Sequence, residues 1–202
     1  ARTEQRLEEL AAAQARTEQR LEELAAAQAR TEARLEELAA VQKNIVAILD
    51  RFDARIADLR GWQLELRYQE RAVAYFGPLL RRMQVVPLNE LEDELEARLS
   101  KKEFLDLLEL DLLVSGQPRY RPDAPQVWLA VEVSAVIDRR DVERAYRRAA
   151  ALRRAGYRAI PAVAGEHAIP VAKEEAFTHK MLLLQDGYAH FWEEALKEVL
   201  SG

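Results

Sequence analysis

The sequence predicts an α/β domain behind a long N-terminal coiled-coil helix, and three observations predict it. All seven glycines and all seven prolines lie beyond residue 60, so the first 60 residues contain no helix breaker. The same 60 residues carry an internal repeat with a heptad period. Beyond them, apolar runs with strand-like alternation are interleaved with amphipathic helical stretches, the order expected of a layered α/β domain. The chain accordingly divides into a coiled coil over 1–60 and a domain over 62–202, which is long enough to bury a core of its own.

The repeat ARTEQRLEELAAAQ fills residues 1–14, recurs unchanged at 15–28 and returns as ARTEARLEELAAVQ at 29–42. Fourteen residues are two heptads. With Leu7 at position a, the a series is Leu7, Gln14, Leu21, Gln28, Leu35, Gln42, Leu49 and Ile56. The d series is Thr3, Leu10, Thr17, Leu24, Thr31, Leu38, Ile45, Phe52 and Leu59. A strict 3.5-residue period buries its seam only when helices wind around each other left-handedly, and a solvated single helix would not confine leucine to that seam. At about 1.5 Å per residue the helix would be on the order of 85 Å long. Its polar layers weaken the seam but discourage indiscriminate apolar association. Identical repeats permit a slip of fourteen residues, so the non-repetitive stretch Val41 to Leu59 is expected to fix the register. The expected partner is the chain itself, as a homodimer. A chain that opens without methionine at the edge of a perfect repeat is expected to belong to a longer array.

Gly61 marks the first expected break, after which Trp62 to Phe76 reads as an amphipathic helix ended by Gly77-Pro78. A second helical stretch covers about Glu90 to Leu99. Leu107 to Val114 and Val127 to Val133 read as strands joined by the turn-rich SGQPRYRPDAP of Ser115 to Pro125, a hairpin with a long loop. Asp138 and Asp141 can cap a helix whose buried stripe is Val142, Ala145, Ala149 and Leu152, with Gly156 in the left-handed C-terminal position. Then come a strand near Arg158 to Ala164, a helix over Val171 to Phe177, a strand at Met181 to Leu184, a turn at Asp186-Gly187 and a helix from His190 to Leu200. Pro161 favours an edge or a strand start.

With no cysteine, disulfides, thiolate catalysis and cysteine-ligated metals are excluded. His167, His179 and His190 fit no zinc-ligand spacing. The longest apolar stretch, Val127 to Ile137, carries Glu132 and is far too short to span a bilayer, and no basic-then-apolar leader opens the chain, so a cytoplasmic protein is expected. A net charge of −5 argues against general polyanion binding, but Arg139 to Arg158 holds eight arginines against Asp141 and Glu143. Arg140, Arg144, Arg147 and Arg154 share one helix face, and Arg139, Arg140, Arg144 and Arg147 are the candidate contacts to nucleic-acid phosphates. The alternative is a solvated face or a partner for acidic groups.

Two acids in otherwise apolar strands require a reason. Period-two geometry sets Glu109 and Asp111 on one strand face and Glu132 and Ser134 on one face of the next. Either acid can point into solvent or pair with an arginine; alternatively Asp111 and Glu132 converge on a hard divalent cation. The string ELDLLV (Glu109 to Val114) followed by WLAVEVSAVIDRRDVERAYRRAAALRRAGYRAIPAV (Trp128 to Val163) resembles the core of the PD-(D/E)XK nuclease superfamily, in its coiled-coil-bearing branch with a restriction-endonuclease-like domain. The resemblance covers about residues 62–200 and implies an αβββαβ core. It implies Asp111 and Glu132 as ligands of Mg2+ or Mn2+, and Glu70 as the helix glutamate that some branches use. Leu110 stands in place of the name-giving proline, and Ser134 in place of the motif lysine.

A serine hydroxyl orients water but supplies no positive charge to the transition state. Lys101, Lys102, Arg139 and Arg140 are the candidates for a relocated basic residue. The expected function is therefore a nuclease-like, cation-binding protein that engages DNA, with phosphodiester hydrolysis weakened or lost and Asp111, Glu132, Ser134 and Glu70 at the site. The alternative is a non-catalytic coiled-coil interaction protein capped by a degenerate nuclease fold.

Overall fold

The computed structural model describes residues 2–201, and the side chains of all of these except 2–9, 11–13, 57 and 58. Thr3 and Leu7 of the first repeat lie outside the described side chains. The chain forms two compact units, Ala1–Ile56 and Ala57–Gly202. Helix α1 (Arg2–Glu70) supplies all of the first unit and begins the second.

Gly61 does not break α1, contrary to the break expected there. A single interior glycine costs a helix only about 1 kcal/mol, and Leu64 and Tyr68, one and two turns on, are buried in the domain core and hold the helix in place. The end comes at Glu70, followed by the short α2 (Ala72–Phe76). Strand β1 (Leu80–Val85) was not expected from the sequence, because its two arginines and its glutamine dilute the alternation. It carries a bulge between Arg81 and Gln84, where Arg82 takes a left-handed φ of 53°. A 3-10 turn (Leu88–Leu91) and α3 (Glu92–Arg98) follow.

Residues 107–111 are not strand. Helix α4 (Lys101–Leu108) starts at a reciprocal cap in which the Ser100 hydroxyl accepts from Glu103 N–H and the Glu103 carboxylate accepts from Ser100 N–H. Glu109 is its C-terminal cap, and β2 (Leu112–Pro118) begins only after Asp111. Strand β2 pairs antiparallel with β3 (Val127–Ile137), giving the expected hairpin. Helix α5 (Arg139–Arg154) is capped by Asp138, whose carboxylate accepts from Arg140 and Asp141 N–H, and Gly156 sits at φ 97°. Then come β4 (Ala159–Ala168), α6 (Pro170–Thr178), β5 (Leu182–Gln185), β6 (Tyr188–His190) and α7 (Trp192–Ser201). The expected last helix thus starts two residues later, after a third unforeseen element, β6.

The six strands form one mixed sheet in the order β1-β2-β3-β4-β5-β6. The first three are an antiparallel meander, β3, β4 and β5 run parallel through the crossovers α5 and α6, and β6 returns antiparallel. Pro161 lies inside the sheet rather than on an edge strand. Pairing of β4 with β5 starts only at Ala162, so Pro161 occupies the stretch of β4 that has a single neighbour. Strand alternation divides the core. Leu129, Val131, Ala162 and Leu184 face the end of α1, α2 and α7, whereas Ala130 faces α3, α4 and α5, and Val163 and Leu183 face α5 and α6. Helices cover both sheet faces, as a parallel centre requires.

Gly165 of β4 pairs with Ser134 of β3. A Cβ on Gly165 would lie 2.1 Å from the Ser134 carbonyl oxygen and 2.9 Å from Ile137 Cγ1. Backbone cannot yield as a side-chain tip can, so Gly165→Ala is expected to destabilise the domain by about 3 kcal/mol, read as a lower urea midpoint with unchanged m-value.

Candidate functional site

The register of β2 and β3 pairs Leu112 with Val131, and one residue further sets Asp111 against Glu132. There the backbone ladder is continued by a side chain, since Asp111 Oδ2 accepts from Val133 N–H at 2.7 Å. Asp111 therefore stands beside Glu132, and it precedes β2 rather than lying within a strand as expected. Glu132 lies on the β3 face that Ala130 also occupies, under α5, and is 1% exposed.

A buried carboxylate needs partners, and α5 provides two one turn apart. Arg144 Nε donates to Glu132 Oε2 at 2.9 Å, and Arg148 Nη1 donates to Oε1 in a short contact. Arg144 is braced by Asp141, its Nη2 lying 2.5 Å from Asp141 Oδ1. Arg148, 2% exposed, also donates to the Glu109 carbonyl at 2.8 Å and to the Glu109 carboxylate at 3.1 Å. Glu109 thus pairs with an arginine instead of sharing a strand face with Asp111.

Burial, then the neighbouring Asp111 charge, pushes the Glu132 carboxyl up, against the pull of Arg144 and Arg148. Burial is also the main cause that raises Asp111 to about 6, with the charge of Glu65 adding to it and the Val133 N–H opposing it. Glu65 is raised in turn by burial and by Glu132. Three carboxylates, Glu65, Asp111 and Glu132, therefore feel one another's charge. Glu70 is exposed near the end of α1 and takes no part. Glu65, between the buried Leu64 and Tyr68, is the α1 carboxylate that the fold turns toward the site. Its signal in the sequence is an acid flanked by core positions.

The remaining expected residues are placed as follows. The Ser134 hydroxyl donates to the Val136 carbonyl at 2.9 Å, along its own strand. Lys101 and Lys102 lie in the first turn of α4, and Arg139 pairs with Glu143 at 3.1 Å and Glu175 at 3.0 Å. Among the described residues the Arg140 side chain makes no hydrogen bond or ion pair, and none of these four bases contacts Asp111 or Glu132. The basic groups nearest the acids are Arg144 and Arg148. Arg148 was detectable, since it falls between Ala145, Ala149 and Leu152 of the predicted buried stripe, and a buried arginine requires a buried acid.

The expected phosphate-tracking stripe is largely consumed inside the fold. Arg147 holds Asp106 with two hydrogen bonds of 2.7 Å and keeps that carboxyl below its ordinary range. Arg154 reaches Glu103 at 2.6 Å. Both pairs line a groove of about 480 Å³ between α4 and α5, which is separate from the acids.

Two outcomes follow. Asp111 ionises near 3.8 in the unfolded chain and near 6 in the fold, so folding loses stability as pH rises between those values, by about 3 kcal/mol at completion. Asp111→Asn, which keeps the acceptor for Val133 N–H, is expected to match the wild type at pH 4 and to exceed it in stability above pH 6, measured by urea unfolding. Arg148→Met is expected to cost about 3 kcal/mol by stranding buried Glu132. Glu132→Gln combined with Arg148→Met should cost less than the sum of the two single changes, the signature of a coupled pair.

No protein family, no curated protein and no solved structure matches the chain.

Proposed function

We propose that residues 57–202 form a nuclease-like domain in which phosphodiester hydrolysis is weakened or lost, carried on a helix that assembles copies of the chain. With α2 before β1, and the 3-10 turn, α3 and α4 between β1 and β2, taken as insertions, the order α1, β1, β2, β3, α5, β4 supports the restriction-endonuclease-like αβββαβ reading, as does the meeting of Asp111 and Glu132 at one end of the β2–β3 hairpin. The single observation that carries the loss of hydrolysis is that both Glu132 oxygens receive guanidinium N–H groups.

The nuclease resemblance implies Mg2+ or Mn2+ at Asp111 and Glu132. As the side chains lie, the donor set does not fit such an ion. Glu132 has both oxygens engaged, Asp111 has one engaged by Val133, and among the described residues no three histidine, cysteine, aspartate or glutamate side chains are grouped to hold a metal. Arg144 and Arg148 supply from within the charge that a cation would bring. With Ser134 in place of lysine and its hydroxyl turned to Val136, no free positive charge faces the position where a phosphorane would develop. DNA as a partner rests on Arg140 and the exposed Arg158 alone, because the other arginines of the stripe are paired.

A second reading, a working metal-dependent nuclease, is favoured by one observation. Glu65 and Asp111 carry raised carboxyls with no guanidinium of their own, and Arg144, with a side chain 36% exposed, is the outer of the two Glu132 partners. The test is cleavage of single- and double-stranded DNA and RNA with Mg2+ or Mn2+, alongside calorimetry of the ion. The expected outcome is no cleavage sensitive to Asp111→Ala and no heat of binding that depends on Asp111. Cleavage abolished by Asp111→Ala, and raised about a hundredfold by Ser134→Lys, would establish the second reading instead.

A further inference from the structure

Within the first unit, Leu10, Leu21, Leu24, Leu35, Leu38, Ile45, Leu49, Phe52 and Ile56 are each 51–67% exposed on one helix. Nine large apolar side chains along one seam are far more than a solvated helix carries singly. We infer that the occupant of this seam is a second copy of the chain, bound parallel and in register, an inference that rests on the coiled-coil assembly proposed above and adds its direction and alignment.

Read along the seam, the repeats present pairs of leucines (7 and 10, 21 and 24, 35 and 38) separated by polar pairs (14 and 17, 28 and 31) and closed by Gln42. An unbroken block of five apolar layers follows: Ile45, Leu49, Phe52, Ile56 and Leu59. Because α1 runs unbroken from Arg2 to Glu70, this block is on the same helix as the repeats.

A parallel shift of seven residues sets the leucines of the repeats against glutamine or threonine, apart from Leu38 of one helix, which meets Ile45, and Leu7 of the other, which overhangs. A shift of fourteen restores the repeats, and on one helix sets Leu49, Phe52 and Leu59 against Leu35, Leu38 and Ile45, but it places Thr31 against Ile45 and Gln42 against Ile56 and leaves Leu49, Phe52, Ile56 and Leu59 of the other helix beyond its partner's seam. Antiparallel helices pack a layers against d layers, and no such alignment matches every layer: with Leu21 on Leu38 and Leu10 on Leu49 most layers agree, but Gln14 meets Ile45 and Thr3 meets Ile56. Pairing the repeats, with Leu21 on Leu24 and Gln14 on Thr31, leaves the five-layer block with nothing apolar to face. Pairing the block with itself, Leu49 on Phe52, strands the repeats. Only the parallel alignment with zero shift gives every apolar layer an apolar partner and every polar layer a polar one, which is the matching that sets register and partner choice in coiled coils.

The chain has no cysteine, so single substitutions report the alignment without background. Gln14→Cys and Thr31→Cys, each in the full chain, are oxidised mildly, and covalent dimers are read on a non-reducing gel, while sedimentation records the non-covalent state. The expected result is an oligomer in which each variant cross-links to itself, and an equimolar mixture forms no 14-to-31 product. A 14-to-31 product with no self-cross-linking would identify the antiparallel pairing and overturn the inference while leaving self-assembly intact. An oligomer with neither product would overturn the alignment in the same way. A monomer at micromolar concentration would overturn the assembly reading itself.

Discussion

The buried contact of Glu132 with Arg144 and Arg148 is the constraint around which the second unit is organised. A carboxylate on the central strand β3, 1% exposed, is tolerable only when opposite charge and directed hydrogen bonds accompany it. That requirement fixes the rotation of α5 about its own axis, since residues 144 and 148 must both face the sheet. It also fixes where the chain leaves α4, because Arg148 takes the Glu109 carbonyl and side chain as well. Once α4 and α5 are set, Arg147 meets Asp106 and Arg154 meets Glu103 along the same groove. The ion pairs nearer solvent contribute little each, whereas the buried one governs placement, because any other packing leaves a charge unmatched in the interior.

The same contact changes what the acids can do. In an open site, two or three convergent carboxylates present free oxygens to an incoming cation. Here the oxygen-rich end of the β2–β3 hairpin is closed electrically before any ligand arrives. Among the described residues Asp111 has no guanidinium partner, only one hydrogen bond from Val133, and its carboxyl is raised to about 6. The arrangement is that of a carboxylate cluster whose most buried member is balanced from within the fold.

Much of the fold was legible because its signals are local and strong. The long N-terminal helix, the Asp138 cap, Gly156, the hairpin and the strands that follow Arg158 are set by period and by turn chemistry, and each is found close to where those rules put it. The failures have separate physical causes. Residues 107–111 were misread because apolar residues ending an amphipathic helix mimic a short strand, although the Ser100–Glu103 cap marked the helix start. Strands β1 and β6 were missed because edge strands need little apolar alternation. At the site, the pairing of Asp111 with Glu132 follows from hairpin register, which sequence can give. The substitution of Glu65 for Glu70, and the turning of Arg144 and Arg148 onto Glu132, depend on how helices lie against the sheet, and no period records that.

The fourteen-residue unit has one more consequence. In a heptad seam it amounts to four whole helical turns, so inserting or deleting one copy alters the helix by about 21 Å and returns every side chain to the same direction. Most insertions into a helix rotate whatever follows. This one does not. The repeat therefore acts as a ruler with a fixed step, along which the helix can be lengthened or shortened without turning the residues that follow.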